Sequence, residues 1–205
     1  MGQAGFGAAA AIAPSSTAPL WQLFAPGQLI ELSGRAPGKL SAVVRLIARA
    51  QAEQEPVAWV ALREAACFYP PDFARAGIDL DALAVVRLAE SAGAHDVVRA
   101  AELLLRSGAF GLVIIDLTHG VPKGELAWQA RLSGLLRRHD ARAVVLTESE
   151  RAQQSLGPLV SLRIEASWRE GGGGKRVLLE QSLLKSRLGG RVAVSPDLRS
   201  LPAGA

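Results

Sequence analysis

The sequence predicts an α/β protein with a mainly parallel central sheet, helices on both faces and an antiparallel edge towards the C-terminal end. Three observations carry this. Strand-length apolar runs alternate with helix-period segments, the pattern of βαβ units. Val113, Ile114 and Ile115 run together with no polar alternation, as a strand covered on both faces requires. After Glu148 the pattern turns to alternating strands punctuated by glycine.

Residues 1–19 (MGQAGFGAAAAIAPSSTAP) are low in complexity and have no amphipathic repeat, so they are expected to be a flexible tail. A single core domain is expected over residues 20–195 and a second tail over 196–205. Within the core, QLIELSG (28–34) reads as a strand and KLSAVVRLIARAQ (39–51) as a helix. The alternation continues through VAWVAL (57–62), PDFARAGI (71–78), ALAVVRL (82–88), HDVVRAAELLLRSG (95–108), FGLVIIDL (110–117), ELAWQARLSGLLRRH (125–139) and RAVVLTE (142–148). Gly108 suits the C-cap of the helix before it. SERAQQSLGP (149–158) reads as a polar loop. LVSLRIEASWRE (159–170), KRVLLEQSLLKSR (175–187) and GGRVAV (189–194) read as strands, the first two joined by a Gly-rich turn. Leu162, Ile164 and Ala166 alternate with Arg163, Glu165 and Ser167, the signature of a half-buried antiparallel strand.

A chain of 205 residues, 49% of them hydrophobic, can bury the core of one domain. Its longest apolar runs, such as 112–115 and 143–146, are strand-sized, whereas a membrane span needs about 20 residues. No Lys or Arg precedes Arg35, so the chain lacks the charged start of a secretory signal and a cytoplasmic location is expected. The single Cys67 excludes an internal disulfide framework, and three scattered His give no zinc site. A net charge of +4 suits a polyanionic partner without specifying one. The basic residues cluster at Arg131, Arg137, Arg138 and Arg142, and again at Lys175, Arg176, Lys185, Arg187 and Arg191. Solvated helix and strand faces are the ordinary explanation of such clusters.

The sharpest motif is Ser33-Gly34-Arg35-Ala36-Pro37-Gly38-Lys39-Leu40-Ser41, between a strand and a helix. In a working Walker A loop, G-x-x-x-x-G-K-[ST], backbone N–H groups wrap the phosphates, the Lys neutralises them and the hydroxyl holds magnesium. Here the loop is one residue short, Pro37 removes a donor, and Leu40 takes the hydroxyl position, leaving Ser41 one place out of register. An ordinary Gly-Pro turn before a helix accounts for the same residues. Asp116 ends an apolar strand as a Walker B carboxylate does, and Glu64 follows a strand where a general base could stand. Solvated carboxylates at strand ends are common.

Order and spacing add specificity. The succession LIELSGRAPGKLS, WVALREA, PPDFARAGIDLDAL, AAELLLRSGAFGLVIIDL, GVPKGEL, RAVVLTE, LVSLRIEASW and VLLEQSLLKSR, covering about residues 27–190, resembles the bacterial RecA ATPase core. The segment AAELLLRSGAFGLVIIDL and the short chain look most like the ImuA family, RecA-related accessory proteins of error-prone DNA synthesis. SulA-type division inhibitors come second. The resemblance implies that Lys39 matches the phosphate lysine, Glu64 the water-activating glutamate and Asp116 the Walker B aspartate. It also implies that Glu148 replaces the glutamine that senses the γ-phosphate, where an acid would repel a triphosphate. Lys185 and Arg187 match the basic pair that reaches a neighbouring subunit's nucleotide in RecA filaments. The DNA-binding loops shrink to about 118–127 and 149–158, the second with Arg151 as its one basic residue and no aromatic.

The implied function is a non-catalytic or weakly catalytic accessory protein of the DNA-damage (SOS) response. Its implied partners are RecA and a translesion complex of an ImuB-like polymerase homologue and its associated polymerase, with weak DNA binding. No cofactor is expected to bind tightly, and ATP with magnesium only weakly. The alternatives are a weak ATPase or ATP-dependent DNA binder, and a SulA-like division inhibitor acting on a cytoskeletal GTPase.

Overall fold

The computed structural model describes residues 23–34, 38–63, 65, 68–89, 91–170, 176–187 and 197–202. The expected N-terminal tail, the Gly-rich turn 171–174 and the strand 189–194 lie outside them. Twelve elements follow one another: β1 (Leu29–Ser33), α1 (Gly38–Ala52), β2 (Val57–Leu62), α2 (Pro70–Arg75), β3 (Leu83–Leu88), α3 (Ala94–Ser107), β4 (Leu112–Asp116), α4 (Glu125–Arg138), β5 (Arg142–Leu146), β6 (Leu162–Glu170), β7 (Arg176–Ser186) and β8 (Asp197–Pro202).

The described strands form one sheet in the order β3-β2-β4-β5-β1-β6-β7-β8. Pairing is parallel from β3 through to β6. It is antiparallel for β6 with β7 and for β7 with β8. The expected α/β class, with its parallel centre and antiparallel edge, is therefore the observed one. One correction concerns the C-terminal tail: Asp197–Pro202 is a strand, with Val177 opposite Leu201 and Leu179 opposite Asp197. Its backbone satisfies the N–H and C=O groups that β7 would otherwise leave open at an edge.

Strand alternation divides the core in two. Ile30, Leu32, Trp59, Ile114, Val144 and Ile164 face α1 and α2. Leu29, Val60, Val113, Ile115, Val145 and Leu156 face α3 and α4. Each β4 residue from Val113 to Ile115 is fully buried, which is why that run carries no polar alternation. Helix α3 ends at Gly108, whose φ of 69° is the left-handed cap conformation that glycine adopts without steric cost. No helix among the described residues is long and apolar enough to cross a membrane.

Candidate functional site

Open α/β sheets gather their functional groups at the carboxyl ends of the strands; here β1, β4 and β5 end nearly level, while β6 runs on to Glu170. Leu32 of β1 pairs with Leu146 of β5, and Leu146 pairs in turn with Asp116 of β4. Asp116 therefore stands two strands from the Gly34–Lys39 loop, about 10 Å away at ordinary strand spacing.

Lys39 is fully buried in the first turn of α1. Its Nζ donates to the carbonyl of Thr147 at 2.9 Å and to Glu148 Oε1 at 3.1 Å. The Glu148 side chain remains 52% exposed. The acid expected to repel a triphosphate thus does something more direct: it occupies the lysine. Gly34 and Gly38 lie against β6, and a Cβ on Gly38 would sit 2.7 Å from Ser167 Cα and 2.8 Å from the Ala166 carbonyl oxygen. Glycine at 38 is required for this close approach of loop and strand. Leu40 packs against the apolar core on the α1 side of the sheet. Residues 35–37, including Pro37, and Glu64 lie outside the described residues. Ser41 is engaged in contacts of its own.

Asp116 is buried, and its Oδ1 accepts from the Thr118 backbone N–H at 3.1 Å and the Thr118 hydroxyl at 2.6 Å. Its Oδ2 is buried without a hydrogen-bond partner among the described residues. Three features of the described residues disfavour a magnesium–nucleotide at this position. The lysine is engaged by Thr147 and Glu148, the side chain at position 40 offers no oxygen, and Gly38 is packed against β6. Oδ2 of Asp116 is a buried acceptor that a cation could still use.

Sequence reasoning missed a charge pair in this region whose two members are both buried. Glu31 in β1 and Arg163 in β6 are register partners, both buried, with Arg163 Nε 3.6 Å from Glu31 Oε1. Glu31 also accepts from Thr147 Oγ1 at 3.1 Å, Ser155 Oγ at 2.9 Å and the Leu156 N–H at 2.8 Å. Arg163 donates to Ser33 Oγ at 3.2 Å, to the Glu150 carbonyl at 2.7 Å and to the Gln153 carbonyl. The expectation that Arg163 points to solvent is therefore corrected. The loop over residues 149–158 lies over this face of β6, so Arg163 is buried beneath it. The available signal was Glu31 itself, an acid inside an apolar strand.

These contacts fix the loop over residues 149–158. Buried Gln129 of α4 donates to the Leu156 carbonyl at 3.0 Å and accepts from the Leu159 N–H at 3.2 Å. Lys185 Nζ donates to the Gly157 carbonyl at 2.8 Å, and Arg187 Nη1 to the Pro158 carbonyl at 2.8 Å. Burial lowers the pKa of Lys185 from its ordinary 10.5, the Arg187 cation adds to the effect, and Glu31 opposes it. Neighbouring carbonyls thus hold the basic pair on the flank of a loop that is clamped from several sides.

The basic clusters resolve differently. Arg131 pairs with Glu102 of α3 at 2.6 Å, and Arg142 is bound to Glu55 and to the Phe24 carbonyl. The side chains of Lys175, Arg176 and Arg191 lie outside the described residues. No group of three or more His, Cys, Asp or Glu suited to a metal occurs among the described residues. No family model matches the chain, and no curated protein matches its sequence.

Proposed function

We propose that this chain is a RecA-like accessory binding module of the bacterial DNA-damage response that works without nucleotide. It supports translesion synthesis and mutagenesis by joining RecA to an ImuB-like polymerase homologue and its associated polymerase, in the cytoplasm. The observation that carries this reading is the internal satisfaction of Lys39 by Thr147 and Glu148. Two of the three N–H donors of this lysine go to groups of the protein itself, one of them a carboxylate, while the strand order that positions such a loop is kept. The clamped loop over residues 149–158 supports the same reading, because its shape comes from protein groups such as Glu31 and Arg163 and needs no ligand to set it.

A weak ATPase is the second reading, and it draws on Asp116 Oδ2, a buried acceptor with no partner among the described residues. Affinity capture from DNA-damaged cells, with and without added ATP and magnesium, separates the two. The accessory reading expects RecA and translesion polymerase components in equal amount under both conditions. Capture that requires nucleotide favours the ATPase, and capture of a cytoskeletal GTPase in place of RecA favours a division inhibitor.

A further inference from the structure

We infer that the groove beside the C-terminal half of α1, at the amino ends of β4 and β5, is a docking site for the chain's own residues 20–22, with the Trp21 indole as the group that fills it. The inference is independent of the accessory reading above and concerns the opposite end of the sheet from Lys39.

The groove is lined by the apolar side chains of Phe24, Leu46, Ala50 and Leu112 and by the charged ones of Arg49, Glu53 and Arg142. Leu112 and Arg142 are register partners at the first positions of β4 and β5. Its volume, counted out to the open side, is about 340 Å³. That is at the small end for a free drug-sized ligand, and a single large side chain suits it better.

The lining selects an aromatic ring with one donor. Four apolar side chains offer area to a ring, and the guanidiniums of Arg49 and Arg142 can lie against its faces. Arg142 donates Nη1 to the Phe24 carbonyl at 3.1 Å and Nη2 to Glu55, while its Nε is a buried donor with no partner among the described residues. An aromatic face accepts such an N–H, which an aliphatic side chain does not. Glu53, paired with Arg49 and partly exposed, supplies an acceptor for an indole N–H.

The occupant follows from where the described chain begins. Leu23 and Phe24 are buried in the core on the α1 side of the sheet, and Phe24 itself lines the groove with its carbonyl held by Arg142. The chain therefore arrives at the groove. Trp21 lies three residues before Phe24, a span of about 10 Å at most, and the next aromatic towards the N-terminus is Phe6. So short a tether gives the indole a high effective concentration over the groove, against which an external side chain competes poorly.

Fluorine NMR of the whole chain carrying 5-fluorotryptophan tests this directly. The four tryptophans give four signals, and Trp21→Phe identifies the one from position 21. Trp59 and Trp128, both fully buried, serve as internal standards for exclusion of water. On transfer from H2O to D2O the Trp21 signal should shift like these two and unlike free 5-fluorotryptophan, at every protein concentration. Trp21→Ala should lower the Tm by about 5 °C, and Trp21→Phe by less because the ring is kept. In a double-mutant cycle with Leu46→Ala, which removes part of the lining, the two losses should add to less than their sum.

A Trp21 signal that responds to D2O like the free amino acid overturns the inference, and so does strict additivity with Leu46→Ala. Protection of Trp21 that disappears on dilution also overturns it, because the groove is then filled by the same segment of a second copy. If Leu46→Ala does not fold, the fluorine signal of the unmodified chain still decides. None of these results bears on capture of RecA by the unmodified chain.

Discussion

Glu31 and Arg163 face each other across the β1–β6 pair, both buried, with the Arg163 guanidinium also holding the carbonyls of Glu150 and Gln153. A buried pair is weak evidence for stability when compared with apolar residues, yet breaking one side of it costs about 3–5 kcal/mol because the other charge is stranded. Arg163→Met or Glu31→Gln alone should therefore lower the Tm by roughly 10 °C for a chain of this size. The double variant should recover part of the loss. A double-mutant cycle by thermal or urea unfolding checks the coupling, and single variants within about 1 kcal/mol of the parent would show that water reaches the pair.

Limited proteolysis reports the same network locally. Arg163→Met removes the donors that hold two carbonyls of the 149–158 loop, so cleavage at Arg151 by trypsin should accelerate well before global unfolding. Unchanged cleavage would mean that Gln129, Lys185 and Arg187 suffice to hold the loop.

The α/β frame was legible because burial on both faces removes polar residues from strands, as at Val113 to Ile115, and because glycine marked the end of α3. The centre of the site was only half legible. Spacing singled out Lys39, Asp116 and Glu148, but not that Glu148 turns back onto Lys39, since that depends on β5 lying beside β1. The same holds for Arg163. Its alternation with Leu162 and Ile164 reads as an outward face, and only the parallel register with β1 sets it against Glu31. Strand β8 was missed because Asp197–Pro202 contains Pro, Asp and Ser, which weaken any strand pattern, and its pairing with β7 is a long-range choice.

Magnesium-ATP should bind the unmodified chain with a Kd above about 100 μM in titration calorimetry, far weaker than the roughly −8 kcal/mol of a micromolar site. Leu40→Thr should not restore it. A hydroxyl at 40 supplies one magnesium ligand, but leaves Glu148 on Lys39 and Gly38 against β6. Micromolar binding by either protein would contradict the filled site.

Lys185 gives a pH signature whose sign can be worked out. Its pKa is lowered in the folded state, so between that value and the ordinary 10.5 the unfolded chain binds a proton that the folded chain does not. Stability attributable to this lysine therefore rises with pH across that window and is lowest below it. Carbon-detected NMR titration of the Lys185 side chain should give a midpoint below 10.5. Arg187→Gln should move the midpoint only part of the way back, because burial is the larger cause. Full recovery would reverse that ranking.

The final prediction joins the basic pair to a partner. Lys185 and Arg187 lie at the outer flank of the clamped loop, each spending one hydrogen bond on a neutral carbonyl of Gly157 or Pro158. A carbonyl does not neutralise a cation, so both retain charge that an acidic group on the proposed partner, RecA, would meet. Arg187 is exposed, whereas Lys185 is partly buried and helps to hold the loop. Arg187→Ala alone should therefore weaken association with RecA through lost charge while leaving loop proteolysis unchanged. The double variant with Lys185→Ala should weaken it at least about tenfold, equivalent to 1.4 kcal/mol, and should also loosen the loop. Measuring affinity, Tm and tryptic cleavage on the same samples separates the effects. Full affinity in a well-folded double variant would remove this surface from the RecA interface, and recovery of affinity by Arg187→Lys would identify charge, more than the guanidinium's fork geometry, as what the partner reads.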